Sequence, residues 1–275
     1  MRALLLFLCI GALAIAGAPM RVVSQTVGTD EMLMALADPQ QIAALSVLSR
    51  DPDFCSDSAR AAKFPQLGAS DAEAILRFRP DLVLMASFTK AETLAQIRRA
   101  GIPVLVMDHF DTLADTYADL RTIGKAVGHP DRAEALIASL RARVSALDAR
   151  LKGVAPVRVM APSVYGYIAG RHTTFDDFCA HAGAVNVAAE AGLDGHAPIP
   201  SERVLAWKVD LLVLEGFDRA AALKRLRETA PFKYMDAAKA GRFILFPEAL
   251  LSTMSQHRVD AYETLARTLH PDRFR

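Results

Sequence analysis

Residues 73–88 read Glu-Ala-Ile-Leu-Arg-Phe-Arg-Pro-Asp-Leu-Val-Leu-Met-Ala-Ser-Phe, and residues 202–217 read Glu-Arg-Val-Leu-Ala-Trp-Lys-Val-Asp-Leu-Leu-Val-Leu-Glu-Gly-Phe. The second stretch echoes the first without a gap. Glu73 aligns with Glu202, Leu76 with Leu205, Phe78 with Trp207, Arg79 with Lys208, Asp81 with Asp210 and Phe88 with Phe217. A further echo follows each copy, Ala100-Gly-Ile-Pro-Val-Leu-Val-Met-Asp108 against Ala240-Gly-Arg-Phe-Ile-Leu-Phe-Pro-Glu248. Each copy runs from a short amphipathic helix into a buried aliphatic strand, then through another helix into a second buried strand, the pattern of parallel α/β packing. Two irregular copies do not make a solenoid. They predict two α/β lobes with a cleft between them, and ligand sites favour such interfaces and the carboxyl ends of parallel strands.

Strands are predicted at 21–24, 42–45, 81–85 and 104–107 in the first lobe, and at 157–161, 210–214 and 243–246 in the second, with one more near 186–188. Helices are predicted to begin near Thr29, Ser70, Lys90 and Thr112, and again near Thr174, Ser201, Arg219 and Thr253. Between the lobes Ala133, Leu136, Ile137, Leu140, Val144, Leu147 and Leu151 recur at helical spacing. Pro130 sits at the start of this run and Gly153 just past its end, the usual punctuation of a helix. The run predicts a stiff connector of about 20 residues, roughly 30 Å long. The fold class is thus α/β, two Rossmann-like lobes with mainly parallel sheets joined by one long α-helix. The division expected is a signal peptide over 1–16, a first lobe over 17–128, a connecting helix over 129–152 and a second lobe over 153–275.

A chain of 275 residues with 52% hydrophobic and 23% charged residues has the composition of a globular protein with room for two cores. The net charge of +1 gives no basic surface for nucleic acid. Arg2 and the apolar run from Ala3 to Ala18, too short to span a bilayer comfortably and ending in small residues, read as a cleavable export signal with Ala14-x-Ala16 as the cleavage site. Cys9 falls within that run and lacks the small residue that should precede a lipid-anchored cysteine. Cys55 and Cys179 remain in the mature chain. They fall in different lobes and are expected not to pair, with Cys179 on the apolar face formed with Phe175, Phe178 and Ala182.

Enzyme signatures are scarce: there is no P-loop, no Gly-x-Ser-x-Gly, no His-Glu-x-x-His and no Cys-x-x-Cys. The seven histidines are scattered, several in polar or terminal segments, and do not have metal-ligand spacing. No catalytic residue, metal site or cofactor is expected. The loops at the strand ends offer flat apolar surface from Phe54, Phe88, Tyr165, Tyr167 and Phe217, and donors to an anionic ligand from Arg50, Arg171 and His257. Each of these residue types is as readily a packing or solvent-facing residue, and Phe88 and Phe217 could equally close the core beneath each strand.

Taken in order, signal, α/β lobe, long helix and α/β lobe resemble the helix-backbone (class III) substrate-binding proteins of ABC importers, which serve ferric siderophores, haem, cobalamin and some bare metal ions. The likeness rests on Gly68 through Glu73 to Pro80-Asp-Leu-Val83, and on Gly183-Ala-x-Asn186, Ser201-Glu202 and Asp210-Leu-Leu-Val213. It also rests on the opening Val22-Val-Ser-Gln-Thr-Val-Gly-Thr-Asp-Glu31-Met-Leu-Met-Ala-Leu36, where Asp30 stands in place of the family's Thr and Ala37 in place of its Gly. The resemblance implies a periplasmic monomer that binds a small molecule and hands it to an inner-membrane permease, with Glu73 and Glu202 docking onto permease arginines. For Glu73, a capping box with Ser70 is the competing explanation. The haem and cobalamin binders of the class carry Tyr or Trp where this chain has Gln66-Leu67-Gly68, which leaves a ferric siderophore as the leading expectation. A cobalamin or haem receptor, a receptor for a metal-free apolar compound and an extracytoplasmic enzyme on the same scaffold are the alternatives.

Overall fold

The structure, a computed structural model, describes residues 18, 20–163, 166–200, 202–216 and 218–275. The export signal expected over residues 1–16 lies outside them. Aliphatic runs bounded by turns form β1 (Val22–Ser24), β2 (Ile42–Ala44), β3 (Leu82–Ala86) and β4 (Val104–Met107). They make one parallel sheet in the order β2-β1-β3-β4. In the second half β5 (Val157–Met160), β7 (Ala184–Asn186), β9 (Leu211–Glu215) and β10 (Phe243–Phe246) form a parallel sheet ordered β7-β5-β9-β10. The two orders are the same order, so the sequence echo is a duplication of topology: the echoed aliphatic runs become β3 and β9, each third across its sheet.

A small antiparallel ribbon of β6 (Tyr167–Ala169) and β8 (His196–Pro198) is added to the second half. Sequence reading did not foresee it, because three-residue strands, one flanked by Gly166 and Gly170 and the other ending in Pro198, carry no alternation to read. Helical positions need two adjustments. The helix expected from Ser201 is a single 3-10 turn, Arg203–Ala206. The helix expected near Thr253 begins at Arg258 and runs to Leu269 after a short helical turn, Glu248–Leu251.

Pro130–Leu151 forms one helix of 22 residues, about 33 Å long at 1.5 Å per residue. Its buried stripe of Ala133, Ile137, Leu140, Val144 and Leu147 belongs to a hydrophobic core that continues into both sheets' surroundings, from Leu33 and Leu120 on one side to Phe178, Tyr262 and Leu265 on the other. The preceding helix, Leu113–Ala126, crosses it closely: a Cβ on Gly124 would lie 2.7 Å from that of Ala133. Only glycine permits that corner. The lobes therefore share packing along the helix instead of being joined by a loose tether.

Candidate functional site

The carboxyl ends of the first sheet's strands open into a cavity of about 570 Å³. Gln25–Gly28 follow β1, Ser46–Leu48 follow β2 and Phe88–Lys90 follow β3, while Ser252–Met254 cross over from the second half. Parallel strands put all their carboxyl ends on one side, so these loops converge wherever the sheet is not capped. Phe88 is 60% exposed and meets Phe110 edge-on at 5.7 Å. It is a cavity wall and does not close the core. Phe54, also partly exposed, lies on the same wall with Val27, Val47, Leu48 and Met254. Polar atoms come from Gln25, Thr26, Ser46, Ser70, Thr89, Thr93, Ser252 and Thr253; the charged lining is Glu31, Asp71 and Lys90. Among the described residues no arginine, histidine or tyrosine lines this cavity.

Glu31 forms part of the floor and ties the halves together. It accepts from Ser56 N at 2.7 Å and from Ser255 Oγ at 2.6 Å, and its own carbonyl accepts from Gln256 Nε2 at 3.1 Å. Burial raises its pKa, partly offset by the positive charge of His257 and by those two bonds. Asp30, the departure from the family's opening motif, is fully buried beside it and receives Ser46 N at 3.1 Å and Ser46 Oγ at 2.5 Å. Burial pushes the Asp30 carboxyl up to about 8 despite those bonds, so it is largely protonated at neutral pH. Asp30 thus anchors the loop after β2 that forms one wall.

The two halves are joined behind the cavity by half-buried charged groups and by one fully buried arginine. His257 places Nδ1 2.6 Å from Asp260 and Nε2 3.1 Å from Asp57, and Arg143 of the connecting helix reaches Asp260 at 2.5 Å and Glu263 at 3.0 Å. Burial lowers the pKa of His257, but the bonds to Asp260 and Asp57 and the charge of Glu31 outweigh it and hold the ring up to about 10. Arg258 is completely buried; it donates to Thr116 Oγ1 at 3.1 Å, Asp111 O at 2.9 Å, Asp177 Oδ2 at 2.8 Å and Phe110 O. Tyr262 donates its hydroxyl to the same Asp177 oxygen.

The residues singled out from sequence separate accordingly. Phe54 and Phe88 reach the cavity. Tyr167 is exposed on β6, outside it. Arg50 is exposed and donates to Phe64 O at 2.6 Å, away from the lining. Arg171 is also exposed, bridged through its backbone to Asp194. Both ring nitrogens of His257 are engaged, Nδ1 with Asp260 of its own helix and Nε2 with Asp57 of the other half, which leaves it no donor for a ligand. Tyr165 and Phe217 lie outside the described residues. Gln66-Leu67-Gly68 is bound to the neighbouring strand end, with Leu67 N donating to Leu45 O at 2.8 Å and Gln66 Nε2 to Val47 O at 2.8 Å, and it does not line the cavity. The hydroxyl-rich lining was legible only as loops; that Ser252–Thr253 would meet Gln25–Thr26 depended on the halves packing together.

Glu73 is exposed and pairs with Arg77 at 2.8 Å. The helix Ala72–Leu76 is capped by Asp71, whose Oδ1 accepts from Ala74 N at 2.8 Å, so Ser70 and Glu73 do not form a capping box. Glu202 precedes the 3-10 turn without a side-chain capping bond. Cys55 and Cys179 are buried and unpaired, their thiols made harder to ionise by burial. Among the described residues no cluster of three His, Cys, Asp or Glu side chains is placed to hold a metal ion, and no helix is long and apolar enough to cross a membrane.

Two duplicated parallel lobes, a rigid connecting helix and a cleft cavity at the strand ends define a two-lobed binding protein of the helix-backbone class. The chain belongs to the periplasmic binding protein family, whose model it matches over residues 22–250. It is similar to an uncharacterised ABC transporter substrate-binding lipoprotein of Bacillus subtilis, YvrC, at 22% identity over 74% of this chain and 67% of that one. A cobalamin-binding protein of Halobacterium salinarum matches at 29% identity over 55% of this chain, which spans 42% of that protein's length. The apo periplasmic heme-binding protein RhuT from Roseiflexus superposes with a TM-score of 0.78 at 26% identity, covering 92% of this chain and 98% of that one. A Saccharomonospora viridis protein of an Fe3+-hydroxamate transport system superposes with a TM-score of 0.73 at 22% identity, covering 92% of this chain and 94% of that one.

Proposed function

We propose that this chain is the periplasmic binding component of an ABC importer, exported by its first 16 residues, and that it carries a metal chelate without net negative charge, cobalamin before ferric hydroxamate. The observation that carries this reading is the cavity lining: hydroxyls, one amide and a flat apolar wall, with no described arginine. An anionic catecholate or citrate complex would face Glu31 and Asp71 with only Lys90 to offset them, and like charges at a recognition surface are costly. A corrin ring carries amide side chains on an apolar plane, which suits hydroxyl donors and acceptors beside Phe54 and Phe88. The likeness to a cobalamin-binding protein supports the same choice. Haem is the second reading, favoured by the likeness to RhuT, and would need an axial ligand from outside the described lining.

Glu73 and Glu202 are the docking residues in this reading. Both are exposed, and neither carboxylate is needed to cap its helix. Calorimetric titration with cyanocobalamin, ferrichrome, ferric citrate and haemin tests the proposal. Micromolar or tighter binding of cyanocobalamin or ferrichrome, with neither haemin nor ferric citrate, is the expected result; tight binding of ferric citrate alone would overturn it.

A further inference from the structure

The second sheet carries a cavity of its own, about 530 Å³, at the place that corresponds to the first by duplication. In β2-β1-β3-β4 the chain reverses its direction of travel across the sheet between β1 and β3, and in β7-β5-β9-β10 it does so between β5 and β9. Such reversals leave a crevice at the carboxyl ends of the two central strands. In the first sheet that crevice is walled by Gln25–Gly28 and Phe88–Lys90. In the second it is walled by Pro162 and Ser163 after β5, Leu214 and Glu215 at the end of β9, and residues of the helix Arg219–Glu228. Ser252–Met254, which follow β10, line the first cavity, so the carboxyl ends of both sheets face the shared cleft.

The chemistry of this second crevice differs from that of the first. Ile199, Leu214, Leu226 and Phe232 make an apolar floor, and Arg225 stands at the rim. The Arg225 guanidinium has no hydrogen-bond or ion-pair partner among the described residues, and Glu215 lies on the same rim. An apolar slot with a free guanidinium at its mouth fits an aromatic or heterocyclic group that carries a phosphate ester.

Resting on the corrinoid reading above, we propose that the second cavity is a distinct subsite for the phosphate-bearing heterocyclic tail of the ligand, with Arg225 contacting the phosphodiester. The ring would occupy the first cavity. Binding of cyanocobalamin and of cobinamide, the same corrin without its nucleotide tail, should be compared by calorimetry on the wild type, Arg225→Gln and Glu215→Gln. The wild type should prefer cyanocobalamin about tenfold, Arg225→Gln should remove most of that preference while leaving cobinamide affinity unchanged, and Glu215→Gln should increase it. Both substitutions are at exposed positions, and thermal melts confirm folding. Equal affinity of the wild type for the two corrinoids, or an equal loss for both in Arg225→Gln, would overturn the subsite alone. Failure of both corrinoids to bind would overturn the corrinoid reading and the subsite with it.

Discussion

Replacing Arg258 by Ala removes a guanidinium that is wholly buried and joins three segments: the Phe110–Asp111 loop, the helix that holds Thr116, and Asp177 of the helix Thr174–His181. Asp177 is then left with the hydroxyl of Tyr262 and a His181 nitrogen 3.9 Å away. Two backbone carbonyls lose their donor as well. Breaking a buried pair from one side leaves an uncompensated charge and costs about 3–5 kcal/mol, and the orphaned carbonyls place this case at the upper end. At roughly 2–4 °C per kcal/mol for a chain of this size, Tm should fall by about 10–20 °C. Urea unfolding followed by far-ultraviolet dichroism measures the loss, and fluorescence of Trp207, half-buried in the second lobe, shows whether that lobe melts separately. The double variant Arg258→Met, Asp177→Asn removes both charges and should recover about half of the loss. A cost for Arg258→Ala under about 1 kcal/mol, or additive single effects in that cycle, would refute the argument that Arg258, held by its pairing with Asp177, is a buried clamp on Thr116 and the Phe110–Asp111 loop.

Stability should decline as the pH rises above neutral. His257 has its folded pKa raised from 6.5 to about 10, so its contribution is complete below 6.5 and is lost as the pH climbs through 10; Asp30, raised from 3.8 to about 8, adds a loss in the same direction between those values. Urea midpoints should therefore fall from pH 7 to pH 9, with His257→Gln flattening that segment and Asp30→Asn flattening the part below pH 8; midpoints that rise over this range would contradict both assignments. Phe54→Ala and Phe88→Ala should each weaken chelate binding about tenfold with little change in Tm, since both side chains are exposed on the cavity wall. Glu73→Ala and Glu202→Ala should leave calorimetric affinity for the ligand unchanged but reduce uptake in a reconstituted transporter, and normal uptake by the double variant would remove the docking role. Gly170→Ala should destabilise by about 1–3 kcal/mol, read from urea unfolding, because its Cβ would fall 2.4 Å from the Leu193 backbone oxygen, which cannot rotate away.

The duplicated lobe was legible in the sequence because its evidence is local. An aliphatic run of strand length flanked by Asp and a helix reads the same wherever it is packed, so Asp81–Met85 and Asp210–Leu214 announced β3 and β9, and the stripe Ala133–Leu147 announced the connecting helix with its ends. The cavity wall at Phe54 and Phe88 was reached for the same reason, since both lie in loops at strand ends. What local pattern does not encode is which loop meets which across a long separation in the chain. His257 read from sequence as a donor to an anionic ligand, and Arg258 carried no signal at all, yet their partners Asp57, Thr116 and Asp177 lie far away in the chain, and only packing turned a potential ligand donor and its neighbour into a clamp. Asp30 read only as a departure from the family's opening motif, and burial against Ser46 made it a protonated anchor. Arg50 and Arg171 illustrate the converse: a charge suited to an anionic ligand was visible in each loop, but Arg50 is turned to the Phe64 carbonyl and neither residue lines the cavity. Strand and helix follow from side-chain periodicity along a few residues; the charge balance of a cleft is a sum over segments that only the tertiary fold brings together.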